Sequence, residues 1–432
     1  MSKLHECVVA LRILDHLTKH NLLEYFQSSY KQFHSTETAL VRIHSDILLA
    51  LDKKKVVLLI MLDLSAAFDT IDHKILLSRL ESLVGIRGKA LDWIRSYMTN
   101  RQQSVLINGV ESDKTKIKYG VPQGSVLGPI LFIIYTSPLG KILRQSGVEY
   151  HFYADDTQIY LSFNIKDVTS AVAKIEETVN IVKRWMIENL LCLNDDKTEV
   201  LLLGTRHALS LLDVTSINIG DAKIVPAEDA KNIGFVFDQV MDSKKHILSL
   251  CKSAWYQLKS VAKIRNFLDQ KSTERLIHAF VSSRLDINNA LLYGLPDSLI
   301  LKLQRLQNAS ARLILKIRKH DHITPALIKL HWLPVKSRIH FKIILLVYKA
   351  LNGLAPGYIS DMLQHKTHAY STRTSSHLIV PRFGGSYGKR NFRCVAPKLW
   401  NDLPEDLKTI SSLSAFKQGL KTHLFRHAFV LL

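Results

Sequence analysis

The sequence predicts an α+β fold for residues 1–240 and a helical arrangement for the rest. In the front part, apolar runs of strand length alternate with segments of helical spacing, and an Asn-Gly pair indicates an antiparallel hairpin. Beyond about residue 241 the helical spacing dominates. With 432 residues, 47% of them apolar, the chain is expected to form two or three domains with sizeable cores.

The strands and helices of the front part follow from apolar spacing and turn signals. VVLLIMLDL (56–64) predicts a buried strand, and HKILLSRLESL (73–83) predicts a helix after it. QQSVLINGV (102–110) and TKIKYGV (115–121) predict a hairpin around Asn108-Gly109. A long amphipathic helix is predicted at 168–191. Further strands are predicted in EVLLLGT and in KNIGFVFD (231–238).

Two adjacent aspartates lie inside HFYADDTQIYL (151–161), a stretch that otherwise predicts paired strands. On a regular strand Asp155 and Asp156 would point to opposite faces, and one of them would be buried at a cost of several kcal/mol if unpaired. A tight turn avoids this cost, because Asp is favoured in hairpin turns. The pair is therefore either a surface turn or one half of a site that needs another carboxylate and a cation.

A candidate for that other carboxylate is Asp63 in IMLDLSAAFDTIDH (60–73). It follows seven apolar residues, where a buried strand would not tolerate an unpaired charge. Carboxylates at strand ends suit Mg²⁺, and two such ions about 3.5–4 Å apart can activate a 3′-hydroxyl and stabilise a leaving pyrophosphate. From spacing alone, Asp63 could also be an acidic residue at the start of a helix.

The excess positive charge of the chain lies entirely in its second part. Residues 1–240 contain 27 Lys and Arg against 28 Asp and Glu, whereas residues 241–432 contain 31 against 10. RNA or DNA is the expected partner of such a region, since phosphate neutralisation supplies most of the non-specific affinity for nucleic acid. The alternative is a basic surface that only keeps the chain soluble.

One helix of the basic region, within 299–319, can be examined by its geometry. At 100° per residue its cations fall within about 60° of one another, and its apolar residues cluster roughly 120° away. This pattern predicts one packed face and a separate ridge of cations for nucleic acid, although any surface helix of a basic region can show it. The cations are Arg305, Arg312, Lys316 and Lys319, and the apolar residues are Leu299, Leu303, Leu306, Leu313 and Ile317.

The compartment is predicted from signals that the sequence lacks. Four distant cysteines without a C-x-x-C pair argue against a zinc knuckle or a disulfide scaffold. No charged-then-apolar leader opens the chain, and the apolar run before Asp63 is far short of the roughly 20 residues needed to cross a bilayer. We therefore expect an intracellular protein of the nucleus or cytoplasm that is not secreted and has no membrane partner.

Five ordered segments carry a resemblance to a known family. They are LDLSAAFDTIDH (62–73), YGVPQGSVLGPILF (119–132), YADD, NDDKTEVLLLG (194–204) and NIGFVFD. Together they resemble the palm motifs of the reverse transcriptase of non-LTR (LINE-type) retrotransposons, most closely the CR1/L2/Jockey-like group. The resemblance implies a right-hand polymerase with an antiparallel palm sheet, partial fingers, and a helical thumb and C-terminal region.

The resemblance also implies roles for individual residues. Asp63 and Asp155 would be the principal ligands of two Mg²⁺ or Mn²⁺ ions, with Asp156 a supporting carboxylate. Phe68 would lie under the incoming sugar and exclude a 2′-hydroxyl, unless it is a core residue of the following helix. Lys197 would donate a proton or charge to the departing pyrophosphate, unless it is a solvated turn lysine.

The segment GVPQGSVLGP is expected to contact the template or the nucleotide. Gly120 and Gly124 allow the backbone to approach a ligand without a Cβ, and Pro122 fixes φ. Gln123 can offer both an amide donor and an acceptor. Without the neighbouring motifs, the same residues would predict an ordinary turn.

Two features depart from the family pattern. Lys31, in FQSSYKQFHSTETAL (26–40), stands where the family usually has an Arg that contacts the triphosphate, and a lysine lacks the bidentate grip of an arginine. Met1 falls inside the resemblance to the first fingers motif. We therefore expect incomplete fingers, with an endonuclease or a complementing protein supplied separately.

The resemblance continues to the end of the chain and gives four expected segments. These are partial fingers at 1–55, the palm at 56–240, a basic helical thumb at 241–330 and a family-specific region at 331–432. In the last segment, His331 and Trp332 of HWLP are expected to be packing residues rather than ligands.

The predicted function is that of an RNA-directed DNA polymerase, with transfer of nucleotides from dNTPs to a DNA primer 3′-end on an RNA template. Three alternatives stay open. The chain could be an inactive fragment that only binds nucleic acid through 241–432, an RNA-dependent RNA polymerase, or a non-enzymatic helical interaction protein. Phe68 argues against the second alternative, and the third leaves the acidic motifs unexplained.

Overall fold

The structure is a computed structural model that describes residues 2–220, 222–365 and 377–429. Its helices in chain order are α1 (Ser2–Lys19), α2 (Thr36–Asp52), α3 (His73–Ser82), α4 (Gly88–Met98), α5 (Gly128–Thr136), α6 (Pro138–Gln145), α7 (Val168–Glu188), α8 (Arg206–Ser210), α9 (Lys244–Ile264), α10 (Gln270–Ile277), α11 (Ser283–Asp286), α12 (Asp297–Leu315), α13 (Thr324–Lys329), α14 (Val335–Leu351), α15 (Gly357–Ser360), α16 (Ser386–Arg390), α17 (Phe392–Asn401), α18 (Glu405–Lys408) and α19 (Leu413–Phe429). Its strands are β1 (Val56–Leu62), β2 (Leu64–Ser65), β3 (Gln102–Gln103), β4 (Leu106–Ile107), β5 (Val110–Glu111), β6 (Thr115–Lys116), β7 (Glu149–Tyr153), β8 (Asp156–Phe163), β9 (Cys192–Leu193), β10 (Glu199–Leu203), β11 (Ile217–Ile219), β12 (Ala222–Ile224), β13 (Asp229–Asn232) and β14 (Phe235–Asp238).

The chain forms two compact units, each assembled from separate stretches of sequence. Unit 1 consists of Met1–Gln32, Leu58–Leu202 and Leu212–Ala227, and unit 2 consists of Phe33–Val57, Leu203–Leu211 and Glu228–Leu432. The mixture of helices with antiparallel strand pairs confirms the α+β class. The borders of the four segments expected from the family resemblance differ from the borders of these two units. The four segments remain a prediction.

Unit 1 contains a four-stranded sheet in the order β10-β1-β8-β7. All seven residues of β1 are buried, as predicted from its unbroken apolar run. Strands β7 and β8 form the predicted hairpin, with Tyr153 opposite Asp156 and the two residues Ala154 and Asp155 in the turn. The hairpin therefore separates the two aspartates, because Asp155 lies in the turn and Asp156 begins β8.

The helices of unit 1 are joined through a buried arginine that the sequence did not single out. Arg79 on α3 donates hydrogen bonds to the carbonyl oxygen of Tyr135 on α5 and to the side chain of Asn189 after α7. Its guanidinium also lies over the rings of Tyr135 and Trp185, 4.5 and 5.3 Å from their centroids. Because a buried cation is costly unless it is hydrogen-bonded, this network fixes α3 against α5 and α7.

A second hairpin of unit 1 confirms the prediction at Asn108-Gly109. Strands β4 and β5 pair antiparallel across these two residues, and strands β3 and β6 pair outside them. Asn108 and Gly109 have φ values of 50° and 84°. Two left-handed residues in succession match the right-handed twist of the flanking strands, which is why Asn-Gly is favoured in such turns.

Unit 2 is helical from Lys244 onward in the part of the chain that the structure describes, as predicted. Helix α14 packs against α17 and α19, and the rings of Tyr348 and Phe416 stack at 3.9 Å. The segment KNIGFVFD forms two strands, β13 and β14, because Ile233 and Gly234 make a left-handed turn between them. Within the described ranges, every helix is too short or too polar to cross a lipid bilayer.

The predicted cation ridge on α12 is wrong in its C-terminal part. The helix ends at Leu315, and Lys316 adopts φ +54° as its cap. The spacing of 100° per residue therefore does not extend to Lys316 and Lys319. Helix α12 instead buries Ala311 and Ile314, whereas Leu313 and Ile317 are only half-buried.

Candidate active site

The three aspartates predicted to bind metal lie on neighbouring strands of the unit 1 sheet. Asp63 directly follows β1, and Asp155 and Asp156 lie at the tip and the start of the adjacent strand β8. The backbone of Asp63 is fixed by the β2–β9 pair, since the N–H of Asn194 donates to the Asp63 carbonyl oxygen at 2.9 Å. This hydrogen bond thus connects the end of β1 to the segment NDDKTEVLLLG.

The charge of Asp63 acts on both aspartates of the hairpin. Burial, followed by the charges of Asp155 and Asp63, raises the pKa of Asp156 to about 6. Burial and the charge of Asp63 also raise the pKa of Asp155. Asp63 lies at the end of β1, and the hairpin aspartates lie at or directly before the start of the neighbouring strand β8. The structure therefore brings together the two acidic motifs that lie about 90 residues apart in the sequence.

Lys197 lies within this acidic cluster. Its Nζ is 3.2 Å from Oδ2 of Asp63, and its charge lowers the pKa of Asp155 against the effect of burial. Two-thirds of its side chain remains exposed, so the ammonium group can also reach an anion that enters from solvent. The position comes from the short helical turn Asp195–Lys197, which follows β9 directly.

The donor set of this cluster suits a hard divalent cation. Carboxylate oxygens are the ligands that Mg²⁺ and Mn²⁺ prefer, and a cation would oppose the burial and the neighbouring charges that raise the pKa values of Asp155 and Asp156. In residues 2–220, 222–365 and 377–429, no group of three or more His, Cys, Asp and Glu side chains has the geometry of a preformed metal cage.

Phe68 lies in the turn between β2 and α3, and not on the following helix. Its half-buried ring packs against Phe132 of α5, with the ring centroids 4.7 Å apart. Its carbonyl oxygen accepts a hydrogen bond from the N–H of Val121 at 2.9 Å. Phe68 is therefore held directly beside the glycine-rich segment.

The glycine-rich segment approaches the backbone after Asp63 closely. Gly120 has φ +84°, and a Cβ built there would lie 2.9 Å from the backbone of Asp69. The side-chain amide of Gln123 donates to both carboxylate oxygens of Asp69, at 3.2 and 3.0 Å. A cavity of about 780 Å³ opens beside this pair, and its lining includes Arg101, Gln103, Lys116, Lys118 and Tyr119.

Lys31 does not extend freely into solvent. Its Nζ donates to the carbonyl oxygen of Glu24 at 2.9 Å, and burial lowers the pKa of Lys31 to about 8. The charge of Glu24 opposes this shift but does not cancel it. The lysine is therefore partly neutral at mildly alkaline pH.

Sequence reasoning missed two features that the structure reveals. The first is Gln27, in the quoted fingers segment, whose side chain binds the turn residue Ala154. The second is an exposed face of α9 that combines cations with aromatic rings. The same spacing of 100° per residue that was applied to α12 would have found it, at Lys252, Trp255, Tyr256, Lys259 and Lys263.

The site geometry agrees with the similarity of the chain to known proteins. The family model "Reverse transcriptase (RNA-dependent DNA polymerase)" matches residues 2–237. The "Probable RNA-directed DNA polymerase from transposon BS" of Drosophila melanogaster is 26% identical over 332 residues, which cover 73% of this chain and 35% of that protein. The "RNA-directed DNA polymerase from mobile element jockey" of Drosophila funebris is 26% identical over 255 residues, which cover 58% of this chain and 27% of that protein.

Similarity to solved structures is weaker. The chain resembles the "Structure of apo telomerase from Candida Tropicalis" with a TM-score of 0.41 and 12% identity, over 72% of this chain and 50% of that chain. At this distance the similarity carries no inference about the present chain.

The family match covers more than half of the chain and includes Asp63, Asp155, Asp156 and Lys197. The chain itself spans only 35% and 27% of the length of the two curated relatives. The resemblance to reverse transcriptases of non-LTR retrotransposons, expected from the five motifs, is confirmed. This chain belongs to the reverse transcriptase (RNA-dependent DNA polymerase) family.

Proposed function

We propose that this chain is an RNA-directed DNA polymerase that transfers nucleotides from dNTPs to a DNA primer 3′-end on an RNA template. The observation that carries the proposal is the position of Asp63, Asp155 and Asp156 at the ends of the neighbouring strands β1 and β8, with Lys197 Nζ 3.2 Å from Asp63. Three carboxylates and one cation at the ends of two neighbouring strands are the groups that nucleotidyl transfer needs. Membership of the reverse transcriptase family supports the same reaction.

The acidic cluster would hold two divalent cations, Mg²⁺ or Mn²⁺, through Asp63 and Asp155, with Asp156 in support. When bound, such ions supply activation of the attacking 3′-hydroxyl and charge stabilisation of the leaving pyrophosphate. Lys197 would add its positive charge, or a proton, at the departing pyrophosphate. Its exposed ammonium 3.2 Å from Asp63 supports this role.

The nucleotide and template would be positioned by the segment around Phe68 and Gln123. The partly exposed ring of Phe68 would close off the space for a 2′-hydroxyl, because its packing on Phe132 keeps the ring in place. Gln123 and Gly124 would contact the template or nucleotide beside the cavity of about 780 Å³, whose lysines and arginine suit phosphates. Lys31 would contribute charge toward the triphosphate.

The helical basic region of unit 2 would bind the RNA and DNA strands through the exposed face of α9. Lys252, Tyr256, Lys259 and Lys263 lie within about 60° of one another at 100° per residue, and Trp255 lies beside them. Tyr256 is 70% exposed, and aromatic rings interleaved with cations are typical of nucleic-acid surfaces. Arg305, Arg312, Lys316 and Lys319 remain candidate contacts, although they do not share one helical ridge.

Primer extension tests the proposed reaction. The full chain is incubated with poly(rA)/oligo(dT), dTTP and Mg²⁺ or Mn²⁺, and the wild type is compared with Asp155→Ala. We expect extension by the wild type and a loss of at least about 1,000-fold in Asp155→Ala, because the variant lacks a principal metal ligand. Asp213→Ala is the matched control, since Asp213 is an exposed aspartate of the same unit outside the cluster.

Two outcomes would overturn the proposal in different ways. Equal extension by the wild type and Asp155→Ala would remove the acidic cluster from the reaction. No extension by the wild type, with RNA binding retained, would favour an inactive chain that only binds nucleic acid.

A further inference from the structure

The hairpin that carries Asp155 and Asp156 is held from the side by residues far earlier in the chain. The N–H of Phe152 on β7 donates to the carbonyl oxygen of Phe26 at 2.9 Å, and the N–H of Ser28 donates to the carbonyl oxygen of Phe152 at 3.0 Å. Gln27 pairs with Phe152 as a short parallel bridge. Buried Ser28 also hydrogen-bonds His151 through its hydroxyl, at 2.7 Å. Residues 26–28 thus add a short edge to β7.

Gln27 reaches beyond this edge to the turn itself. Its Oε1 accepts a hydrogen bond from the N–H of Ala154 at 3.0 Å, and its Nε2 donates to the carbonyl oxygen of Ala154 at 3.2 Å. The same Oε1 accepts from the N–H of Ser29 at 2.9 Å, which fixes the orientation of the amide. Gln27 is only 3% exposed, so solvent competes little with these bonds. One side chain therefore satisfies both backbone groups of one turn residue.

Ala154 needs such support because of its conformation. It has φ +58°, a left-handed value that is unfavourable for a residue with a Cβ. The turn contains only two residues, so a change at Ala154 would move Asp155 directly and alter the start of β8 at Asp156. A strained residue of this kind persists when its surroundings determine its backbone, and here Gln27 supplies two of the bonds that do so.

We propose that Gln27 is a positioning residue that holds Ala154 in its left-handed conformation and so sets where the metal-binding carboxylates lie. This inference rests on the proposed function, because it assigns Gln27 to the same acidic cluster. Gln27 touches neither the reacting atoms nor the cation. Its amide acts through the Ala154 backbone.

The test uses Gln27→Leu, which keeps most of the side-chain volume and removes all three hydrogen bonds. Three quantities are measured on the full chain: hydrogen–deuterium exchange of peptides covering 150–158, Mn²⁺ affinity by electron paramagnetic resonance, and kcat and KM for dTTP in primer extension. We expect faster exchange in the hairpin, Mn²⁺ affinity lower by about 10-fold or more, and a lower kcat with little change in KM, as for residues that orient metal ligands.

A matched control and a rescue variant separate positioning from general damage. Gln307 is 1% exposed in unit 2, and its Nε2 donates to the carbonyl oxygen of Leu333 at 2.8 Å. Gln307→Leu should lower the stability without changing Mn²⁺ affinity. Adding Ala154→Gly to Gln27→Leu should restore part of the Mn²⁺ affinity, since glycine adopts positive φ without steric cost.

The outcomes distinguish this inference from the proposed function. Unchanged Mn²⁺ affinity and unchanged hairpin exchange in Gln27→Leu, with normal extension by the wild type, overturn the role of Gln27 alone. The role is also overturned if Gln307→Leu lowers Mn²⁺ affinity equally. A wild-type chain that binds Mn²⁺ through Asp155 but never extends a primer overturns the proposed polymerase activity and leaves the Gln27 result standing.

Discussion

At the scale of single residues, the chemistry of this chain depends on how neighbours change the charge of titratable groups. Burial, followed by the charge of Asp63, raises the pKa of Asp155, and Lys197 opposes this shift. Burial, followed by the charges of Asp155 and Asp63, raises the pKa of Asp156. Lys31 is driven toward deprotonation by its own burial. None of these shifts can be read from residue types, because each depends on which groups the fold brings together.

The lowered pKa of Lys31 predicts a pH dependence of nucleotide binding. With a pKa of about 8 in place of 10.5, the lysine loses its positive charge as the pH rises from 7 to 9. We expect KM for dTTP to rise several-fold over this range, because a neutral amine attracts the triphosphate less. Steady-state extension at pH 7, 8 and 9 measures it.

Lys31→Arg is the matched variant for this prediction. A guanidinium stays charged throughout the range, so KM for dTTP should be nearly constant with pH. The same rise of KM in Lys31→Arg and the wild type would show that Lys31 does not face the triphosphate.

At the scale of elements, the glycine-rich segment shows that two of its glycines, Gly120 and Gly124, differ in what surrounds them. Gly120 and Gly124 both have positive φ, but a Cβ at Gly120 would lie 2.9 Å from the backbone of Asp69, whereas a Cβ at Gly124 would meet nothing within 4 Å. Gly124→Ala should therefore cost about 1–2 kcal/mol from the left-handed backbone alone. Gly120→Ala should cost distinctly more, because the backbone of Asp69 must also move.

Urea unfolding of the two glycine variants measures this difference. The comparison is matched, since both substitutions add one methyl group within the same segment. Equal losses of unfolding free energy would show that the segment does not approach Asp69 as closely as the structure places it.

The exposed face of α9 predicts how nucleic-acid binding depends on salt. Lys259→Gln with Lys263→Gln removes two exposed cations four residues apart, and should lower the log–log salt slope by about 1.4–1.8 if each contacts a phosphate. Fluorescence anisotropy with a labelled RNA–DNA hybrid from 50 to 300 mM salt measures the slope.

Helix α19 provides the control for this measurement. Lys417→Gln with Lys421→Gln removes the same charge at the same spacing from another exposed helix surface. We expect a smaller change of the log–log salt slope in this α19 double variant than in the α9 double variant. An equal change in both double variants would mean that the net charge of the region matters and the α9 face does not.

At the scale of the whole molecule, charge and buried histidines determine how solution conditions act on the chain. The excess of cations lies in residues 241–432, most of unit 2, so screening by salt should affect its binding to polyanions strongly. Unit 2 also buries two histidines whose rings stay neutral. Burial lowers the pKa of His44 to about 3 and that of His246 to about 4.

These histidines predict that unit 2 loses stability in mild acid. The unfolded chain takes up protons near pH 6.5, whereas the folded chain does so near pH 4 or below, so the unfolded state binds more protons between these values. The contribution of the two neutral rings to the free energy of unfolding should be complete above about pH 6.5 and should fall as the pH approaches 4. Urea unfolding at pH 7.5, 6 and 5 measures this decline.

His246→Asn tests the contribution of one ring. His246 Nδ1 accepts a hydrogen bond from the N–H of Val236 at 3.3 Å, and its ring stacks on Phe235. An asparagine can keep the acceptor but loses the stacking. The variant should have a lower free energy of unfolding than the wild type at pH 7.5. Its free energy of unfolding should, however, fall less between pH 7.5 and pH 5. His320→Asn, at an exposed position, should keep the wild-type decline. An unchanged decline in His246→Asn would contradict the prediction.

The sequence by itself determined the elements and the chemistry that they can carry. Seven apolar residues in succession predict β1, and Asn108-Gly109 predicts the turn between β4 and β5. The order of the acidic motifs predicts the family. Each of these signals can be read along the chain without knowledge of tertiary contacts. Only the tertiary structure decided where α12 ends, that Lys31 donates to Glu24, and that Gln27 holds the turn at Ala154. Gln27 and Ala154 lie 127 positions apart, whereas the end of α12 and the contact between Lys31 and Glu24 depend on how those segments pack in three dimensions. Residue spacing along the chain contains no information about either.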